Sequence, residues 1–184
     1  MQTFTYPTPP VPLTNLFPAS LPAPNIDPPP ASAPRVDPTQ TWTVYLAPNP
    51  TPATRLTAHK TTFRDPYDAV RKYIPTAEGK SMIEEEMKGS TEILLVNEEG
   101  NVMEGSITTP YFWRGGRWVT PREADGGNKG TTRRWALEMG LVIEEVVPAD
   151  GEAGVKDGEV LWLSNGVRGW GCGRVMRGVG ETRK

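Results

Sequence analysis

Four short stretches of the sequence carry residue types that could bind a charged cofactor and move protons. Lys60 precedes a predicted helix, and a lysine amine that is held neutral can form a Schiff base with a carbonyl compound. Glu104 ends a predicted strand, where a carboxylate could face a protonated ring nitrogen. The other two stretches are glycine-containing and offer hydroxyl and backbone N–H donors. Each stretch also has a purely structural interpretation, as a surface lysine, an edge carboxylate, a helix start and a turn.

The third stretch, residues 126–140, predicts a Gly-rich loop that runs directly into a helix. Thr131 is the predicted N-cap, and Gly140 is placed where a glycine commonly ends a helix. The N–H groups of a first helical turn have no partners within the helix and carry positive partial charge, so they favour a phosphate. Gly130, Thr131 and Thr132 are therefore candidate phosphate donors. The alternative is a flexible turn before an ordinary helix.

The fourth stretch, Ser164-Asn165-Gly166, follows the apolar run 160–163. It predicts a turn whose hydroxyl and backbone N–H groups could bind a phosphate from a second side. His59 is the single histidine and Cys172 the single cysteine. This composition argues against a structural zinc site and excludes an intramolecular disulfide, which favours a reducing compartment.

Composition and charge narrow the class of protein further. The chain has 184 residues and a net charge of −2, which gives no strong attraction to nucleic acids or membranes. No apolar run is long enough to span a bilayer, and the first 12 residues lack the features of a signal peptide. We therefore expect a cytoplasmic protein without a nucleic-acid or membrane partner.

More than half of the 20 prolines precede residue 41. Residues 1–40 are therefore predicted to be a Pro-rich tail or linker, and residues 41–180 a folded domain. A small apolar cluster within the tail could dock on that domain or remain unpartnered; it contains Leu13, Leu16, Phe17 and Leu21.

Strand and helix signals alternate along the folded part and predict an α+β domain. Asp65 and Pro66 are expected to open a helix at 66–73, with Asp65 as N-cap, and a charged helix is expected at 78–88. Residues 91–120 are predicted to form an antiparallel meander. The predicted strands are 41–47, 92–96, 102–104, 108–113, 117–119, 141–147, 160–163 and a Gly-rich return at 168–175.

The motifs, in the order in which they follow one another along the chain, resemble the class IV aminotransferase family, the fold type IV pyridoxal-phosphate (PLP) enzymes. This family includes branched-chain and D-amino-acid aminotransferases and aminodeoxychorismate lyases, and the resemblance is strongest to its fungal aminodeoxychorismate-lyase-like members. It covers residues 41–175. The stretches that carry it are His59-Lys60-Thr61-Thr62, Glu104-Gly105-Ser106, Trp118-Val119-Thr120-Pro121, residues 126–134 and residues 163–169.

The resemblance implies PLP as the cofactor and gives each candidate residue a role. Lys60 is implied to be the catalytic residue, which forms the Schiff base and moves a proton. Glu104 is implied to face the pyridine nitrogen. The phosphate is implied to lie between two sets of donors, and Tyr67 and Arg64 are loosely matched to contacts with the ring hydroxyl. The two sets are Gly130, Thr131 and Thr132 on one side and Ser164 and Asn165 on the other.

The sequence departs from the family pattern in two places. Thr109 occupies a position where the family usually has asparagine, five residues after the glutamate. A Pro-rich stretch also stands before Trp42, where the family has an N-terminal α/β domain that completes the cofactor site. The chain therefore resembles the C-terminal domain alone, and we expect a homodimer or a separate partner to complete the site.

The implied activity is that of a PLP-dependent lyase acting on a small-molecule amino substrate. It would convert 4-amino-4-deoxychorismate to 4-aminobenzoate and pyruvate, a step of folate biosynthesis. One alternative is a PLP-dependent transaminase, which uses the same site. The other is a cofactor-free relative with an altered role, in secondary metabolism or as a binding or dimerisation module. Of these, an enzyme is the favoured interpretation.

Overall fold

The computed structural model describes residues 17–21, 23, 41–59, 62–75 and 91–177. The strands in these ranges are Trp42–Leu46 (β1), Thr91–Val96 (β2), Val102–Gly105 (β3), Thr109–Arg114 (β4), Arg117–Pro121 (β5), Ile143–Glu145 (β6), Val160–Asn165 (β7) and Gly169–Val175 (β8). The helices are Arg55–Ala58 (α1), Asp65–Arg71 (α2) and Thr131–Glu138 (α3), with a 3-10 helix at Glu123–Asp125. The predicted helix at 78–88 lies outside the described residues.

The eight strands form one mixed sheet in the order β3-β2-β1-β8-β7-β4-β5-β6. Strand β1 runs parallel to both β2 and β8, and β5 runs parallel to β6. The remaining neighbours are antiparallel. A mixed sheet with short helices packed beside it confirms the predicted α+β class.

The predicted meander over 91–120 is wrong, although both of its hairpins form. β2 pairs with β3 and β4 pairs with β5, but β4 continues the sheet through β7. Strands β1, β8 and β7 therefore separate the two hairpins. Turn residues specify local hairpins, whereas the partner on the other side of each hairpin depends on which distant apolar strand it buries.

The sheet must curl, because β3 and β4 lie far apart in strand order but only residues 106–108 join them. The Gly105 N–H donates to the Thr108 carbonyl across this short connection, at 2.8 Å. The main core fills one face of the sheet and includes Val44, Leu94, Val102, Phe112, Leu161 and Leu163, all at most 1% exposed. Burial of each such side chain contributes about 1.5–3 kcal/mol.

Two smaller apolar clusters attach the helices to the sheet. Tyr67 and Val70 of α2 pack with Ile93, Leu95 and Met103. On the other half of the sheet, Ala136 of α3 packs into an aromatic cluster that includes Tyr111, Trp118, Trp162 and Trp170. Among the described residues, no helix is both long enough and apolar enough to cross a membrane.

Part of the N-terminal apolar cluster docks on this aromatic half of the sheet. The Phe17 ring meets the Trp135 ring edge-on, with centroids 5.2 Å apart. Leu21 packs against the same aromatic cluster, and its carbonyl accepts a hydrogen bond from the Trp118 indole N–H at 3.1 Å. Leu13 and Leu16 lie outside the described residues. The assignment of residues 1–40 to a tail or linker stays a prediction.

Both predicted N-caps are one residue too late. The N-cap of α2 is Arg64, which makes no side-chain capping bond, and Asp65 is already helical. The N-cap of α3 is Gly130, so Thr131 is the first helical residue. A carboxylate in a first turn interacts well with the helix dipole without being the cap, which is why Asp65 is placed there. Gly140 follows α3 with a φ of +66°, as predicted.

A tight hairpin turn joins β4 to β5, and two of the predicted strand boundaries differ from the structure. Gly115 and Gly116 both have positive φ, at +54° and +81°, as a two-residue hairpin turn requires. The predicted strand 141–147 is reduced to β6. Ser164 and Asn165 belong to β7 instead of a turn, because they pair with Trp170 and Gly169 of β8. The chain turns at residues 166–168.

Candidate functional site

An irregularity in β3 sets the direction of the Glu104 side chain. Leu95 pairs with Glu104, but the next residue of β2, Val96, pairs with Val102, so Met103 has no pairing partner in β2. This is a β-bulge, a device that re-aims a side chain where the regular alternation would turn it away. It places Glu104 on the face of the sheet where α2 packs, with only 6% of the residue exposed.

Two donors meet the buried Glu104 carboxyl group. The Tyr67 hydroxyl lies 2.7 Å from Oε1, and the backbone N–H of Asn128 donates to the same carboxyl group. Burial raises the pKa of Glu104 to about 7, while the Tyr67 and Asn128 hydrogen bonds oppose that rise. A buried carboxyl group whose pKa is raised this strongly is a candidate functional group.

Behind Glu104 lies a second buried carboxylate, which sequence reasoning missed. Glu92 is fully buried and accepts hydrogen bonds from the hydroxyls of Ser106 and Thr108, each at 2.6 Å. It also accepts from the backbone N–H groups of residues 93, 106 and 107. The Arg71 guanidinium lies 3.8 Å from Glu92 and donates to the Ser106 hydroxyl at 2.6 Å. We call Glu104, Tyr67, Glu92, Arg71 and Ser106 the carboxylate corner.

The signal that could have revealed Glu92 is a charged residue inside the otherwise apolar run 92–96. A charge in a buried strand must be compensated by donors. The polar residues 106 and 108, beyond the return strand, supply them.

The Gly-rich loop connects Glu104 to the start of α3. A side chain at Gly127 would place its first carbon 2.4 Å from the Met103 carbonyl oxygen, so the loop backbone can lie against β3 only as glycine. Gly126 has a φ of +100°, which also favours glycine. The next residue, Asn128, supplies the N–H that reaches Glu104. The loop therefore fixes the distance between the carboxylate and the helix start.

At that helix start the structure gathers four buried hydroxyl groups. Ser164 Oγ lies 2.8 Å from Thr132 Oγ1 and 2.9 Å from the Tyr111 hydroxyl. Burial raises the pKa of the Tyr111 hydroxyl, and side-chain hydrogen bonding by Ser164, Thr132 and Thr109 opposes that rise. All four residues are at most 7% exposed. We call Thr109, Tyr111, Thr132 and Ser164 the hydroxyl corner.

The structure thus brings together Thr132 and Ser164, two of the residues predicted to contact a phosphate. Two other predicted contacts, Thr131 and Asn165, do not join this hydroxyl corner. Thr131 is exposed at the helix start. The Asn165 amide donates to the Ile107 carbonyl at 3.1 Å and accepts from the N–H groups of residues 167 and 168. Its side chain therefore shapes the turn after β7, and its role as a phosphate donor stays a prediction.

Thr109 and Tyr111 were not predicted to act in this site. They lie two residues apart in β4, so both side chains point to the same face of the sheet. The signal in the sequence that could have revealed them is this spacing of two residues between polar side chains in a strand. Thr109 also lies beside the loop, because a side chain on Gly130 would place its first carbon 3.4 Å from Thr109 Oγ1.

Lys60, the predicted catalytic residue, lies outside the described residues. Its neighbour His59 is exposed and lines a surface cleft of about 600 Å³. The cleft also contains Arg122, Glu123, Lys129 and Glu144. Within the cleft Lys129 pairs with Glu123, and Arg122 is held by Asp125, so these cations are already neutralised. The cleft does not include either corner.

Comparison with known proteins matches residues 22–172 to the family described as amino-transferase class IV. Aminodeoxychorismate lyase of Saccharomyces cerevisiae is 34% identical over 138 residues, 71% of this chain and 36% of that protein. A provisionally assigned aminodeoxychorismate lyase of Schizosaccharomyces pombe is 34% identical over 88 residues, 48% of this chain and 36% of that protein. The chain thus spans about a third of the length of these relatives.

A solved structure shares the fold described above. It is a provisionally assigned amino-acid aminotransferase of Mesorhizobium loti, with a TM-score of 0.57 and 25% identity, covering 74% of this chain and 60% of that one. The match of the family model over most of the chain confirms the resemblance drawn from the motifs. The chain belongs to the class IV aminotransferase family.

Proposed function

We propose that this chain forms a PLP site between the carboxylate corner and the hydroxyl corner, with Lys60 as the covalent attachment point. The donor sets of the two corners fit the two ends of this cofactor. A buried carboxylate suits a protonated ring nitrogen, and buried hydroxyls beside a helix start suit a phosphate. The observation that carries the proposal is that one glycine loop, too close to β3 for any side chain at Gly127, joins both ends.

Each corner has a defined task in this proposal. When bound, PLP supplies an electron sink for the bonds at the amine-bearing carbon of a substrate. Glu104 holds a proton at the ring nitrogen. Thr132 and Ser164 turn their hydroxyl protons towards the phosphate, which hydroxyl rotation allows. Lys60 accepts and returns a proton at the substrate carbon, as a general acid–base catalyst.

For the reaction we propose a lyase that converts 4-amino-4-deoxychorismate to 4-aminobenzoate and pyruvate. The support is the 34% identity to the yeast aminodeoxychorismate lyase. A transaminase is the second candidate, favoured by the 25% identity and shared fold of the aminotransferase from M. loti. We also propose that a second copy of the chain or a separate partner completes the site.

Absorbance spectroscopy tests the cofactor. Purified protein titrated with PLP should develop a saturable visible absorbance band, and Lys60→Ala should abolish it. Lys72→Ala is the matched control, because Lys72 is exposed at the end of α2 and should leave the band unchanged. A wild-type protein without any band would contradict the proposal and favour the cofactor-free relative.

Product analysis then separates the two reactions. With 4-amino-4-deoxychorismate, a lyase releases 4-aminobenzoate and pyruvate and needs no amino acceptor. A transaminase instead converts an amino donor to its keto acid and stops when the acceptor is omitted. Sedimentation at micromolar concentration, with and without PLP, shows whether a second copy is required; a catalytically active monomer would contradict that part.

A further inference from the structure

The hydroxyl of Tyr67 stands between two acceptors. It lies 2.7 Å from Glu104 Oε1 and 3.2 Å from the carbonyl oxygen of Thr57. Both Tyr67 and Glu104 are buried, with 8% and 6% of each residue exposed. A phenol has one proton, so it can donate to only one acceptor at a time in a strong hydrogen bond. When Glu104 is ionised, it accepts the hydrogen bond that the Tyr67 hydroxyl donates. When Glu104 is protonated, it can itself donate to the Tyr67 oxygen, and the Tyr67 hydroxyl can then donate to the Thr57 carbonyl.

Helix α2 carries Tyr67 on the face that contacts Glu104 and the turn after it. Tyr67 and Arg71 are four residues apart and therefore share one face of the helix. Arg71 donates to the Ser106 hydroxyl at 2.6 Å, and Arg64 donates to the Ser106 carbonyl at 3.3 Å. Since Ser106 follows Glu104 by two residues, these contacts attach α2 to the turn directly after the carboxylate.

Every packed element contributes a group to the environment of Glu104. Tyr67 from α2, the Asn128 N–H from the loop and Arg133 from α3 favour the ionised form. Glu92 from β2 opposes it, as does burial, which is the largest cause of the raised pKa of Glu104. Arg64 lies 5.4 Å from the centre of the Tyr67 ring. Tyr67 is the side chain in this set that touches the Glu104 carboxyl group directly.

We propose that Tyr67 is a positioning residue for Glu104, whose hydroxyl donates to Oε1 and holds the carboxylate in one orientation towards the ring nitrogen of the cofactor. Tyr67 thereby links Glu104 to Thr57, three residues before Lys60. The cofactor part of this inference rests on the proposed function. The contact between Tyr67 and Glu104 is independent of the proposed function, and it can be measured in cofactor-free protein.

The test is a pH titration of the Glu104 carboxyl group by infrared difference spectroscopy, with Glu104→Gln to assign the band. Tyr67→Phe should raise the titration midpoint by about one unit or more, because a hydrogen bond to a charged group is lost. Tyr73→Phe is the matched control: Tyr73 lies just beyond α2, is exposed, and accepts a hydrogen bond from Asn49. An unchanged midpoint in folded Tyr67→Phe would overturn the proposal.

If Tyr67→Phe does not fold, the hydroxyl can be strengthened as a donor instead of removed. Replacing tyrosine by 3-fluorotyrosine in the Tyr73→Phe background makes each phenol more acidic. The Glu104 midpoint should then fall, and a midpoint that stays constant would overturn the proposal.

Cofactor binding separates this inference from the proposed function. If wild-type protein binds PLP, the pH profile of binding should shift upwards in Tyr67→Phe by the same amount as the carboxyl midpoint. A shifted midpoint with an unshifted binding profile would overturn the link to the cofactor. If the wild-type protein does not bind PLP, the proposed function fails, while the carboxyl titration still decides the role of Tyr67.

Discussion

The two corners of the site solve the problem of burying polar groups in different ways. In the carboxylate corner, Glu92 and Arg71 are charged and nearly fully buried, and fixed donors surround Glu92. In the hydroxyl corner the buried groups are neutral and bond to one another. Fixed charges demand a rigid surrounding, whereas hydroxyls can rotate their protons to meet an incoming anion. In the proposed site, the carboxylate corner would therefore hold a ligand group in one orientation, and the hydroxyl corner would adjust its hydroxyl protons to a phosphate.

This comparison predicts the largest effect for removal of a charge from the carboxylate corner. Glu92→Gln replaces an acceptor oxygen by an amide NH₂ that faces N–H donors, and it removes the carboxylate charge beside the buried Arg71 guanidinium. We expect a loss of about 3–5 kcal/mol in the free energy of unfolding. Glu99→Gln, at an exposed turn position, is the control and should change stability little. Urea unfolding measures both, and a loss below about 1 kcal/mol for Glu92→Gln would break the distinction between the corners.

The second prediction uses pH to isolate Glu104. Its pKa is raised from 4.5 to about 7 in the folded chain, so between these values the folded state binds more protons than the unfolded state. Its contribution to stability is therefore present below about pH 4.5 and is lost as the pH rises to 7. Glu104→Gln cannot titrate, so it should gain about 3 kcal/mol relative to wild type between pH 4.5 and 8.

Urea unfolding of both proteins at several pH values measures that difference. Glu138→Gln, on the exposed part of α3, serves as the control for a general effect of net charge. A constant difference between wild type and Glu104→Gln across this range would show that the carboxyl group is not strained by burial.

The smallest effect is expected in the hydroxyl corner. Ser164→Ala removes the hydroxyl that Thr132 and Tyr111 share, and we expect a loss of about 1–3 kcal/mol for the partners left unsatisfied. Thr131→Ala, one residue before Thr132 but exposed, should be close to neutral. If the corner adapts as described, Ser164→Ala should weaken binding of PLP more than binding of pyridoxal, which lacks the phosphate. Equal losses for both ligands would contradict the assignment of this corner to phosphate.

Much of the local structure could be predicted from the sequence, because it depends on local chemistry. The hairpin at Gly115-Gly116 needs two positive φ values that glycine adopts freely, and Gly140 ends α3 for the same reason. The family could also be recognised, because its motifs occur in a fixed order. Helix starts were misplaced by one residue, since capping preferences tolerate that shift.

The sheet order and the buried network could not be predicted, because both depend on long-range contacts. Nothing near β4 specifies that β7 will be its neighbour. The importance of Glu92 depends on the turn at Ser106, fourteen residues later in the sequence. The contact of the Tyr67 hydroxyl with Glu104 is set by the packing of α2, and the loose match of Tyr67 to the ring hydroxyl of the cofactor stays a prediction.

The central claim is that both corners serve one cofactor attached at Lys60, and reductive labelling tests it most directly. The protein is incubated with PLP, reduced with borohydride and digested, and each lysine peptide is analysed by mass spectrometry. The account predicts one adduct per chain at Lys60, with Lys72, Lys129 and Lys156 unlabelled. It also predicts that less of Lys60 is labelled in Glu104→Gln and in Ser164→Ala than in wild type. Adducts spread over the exposed lysines, or absent from Lys60, would contradict it.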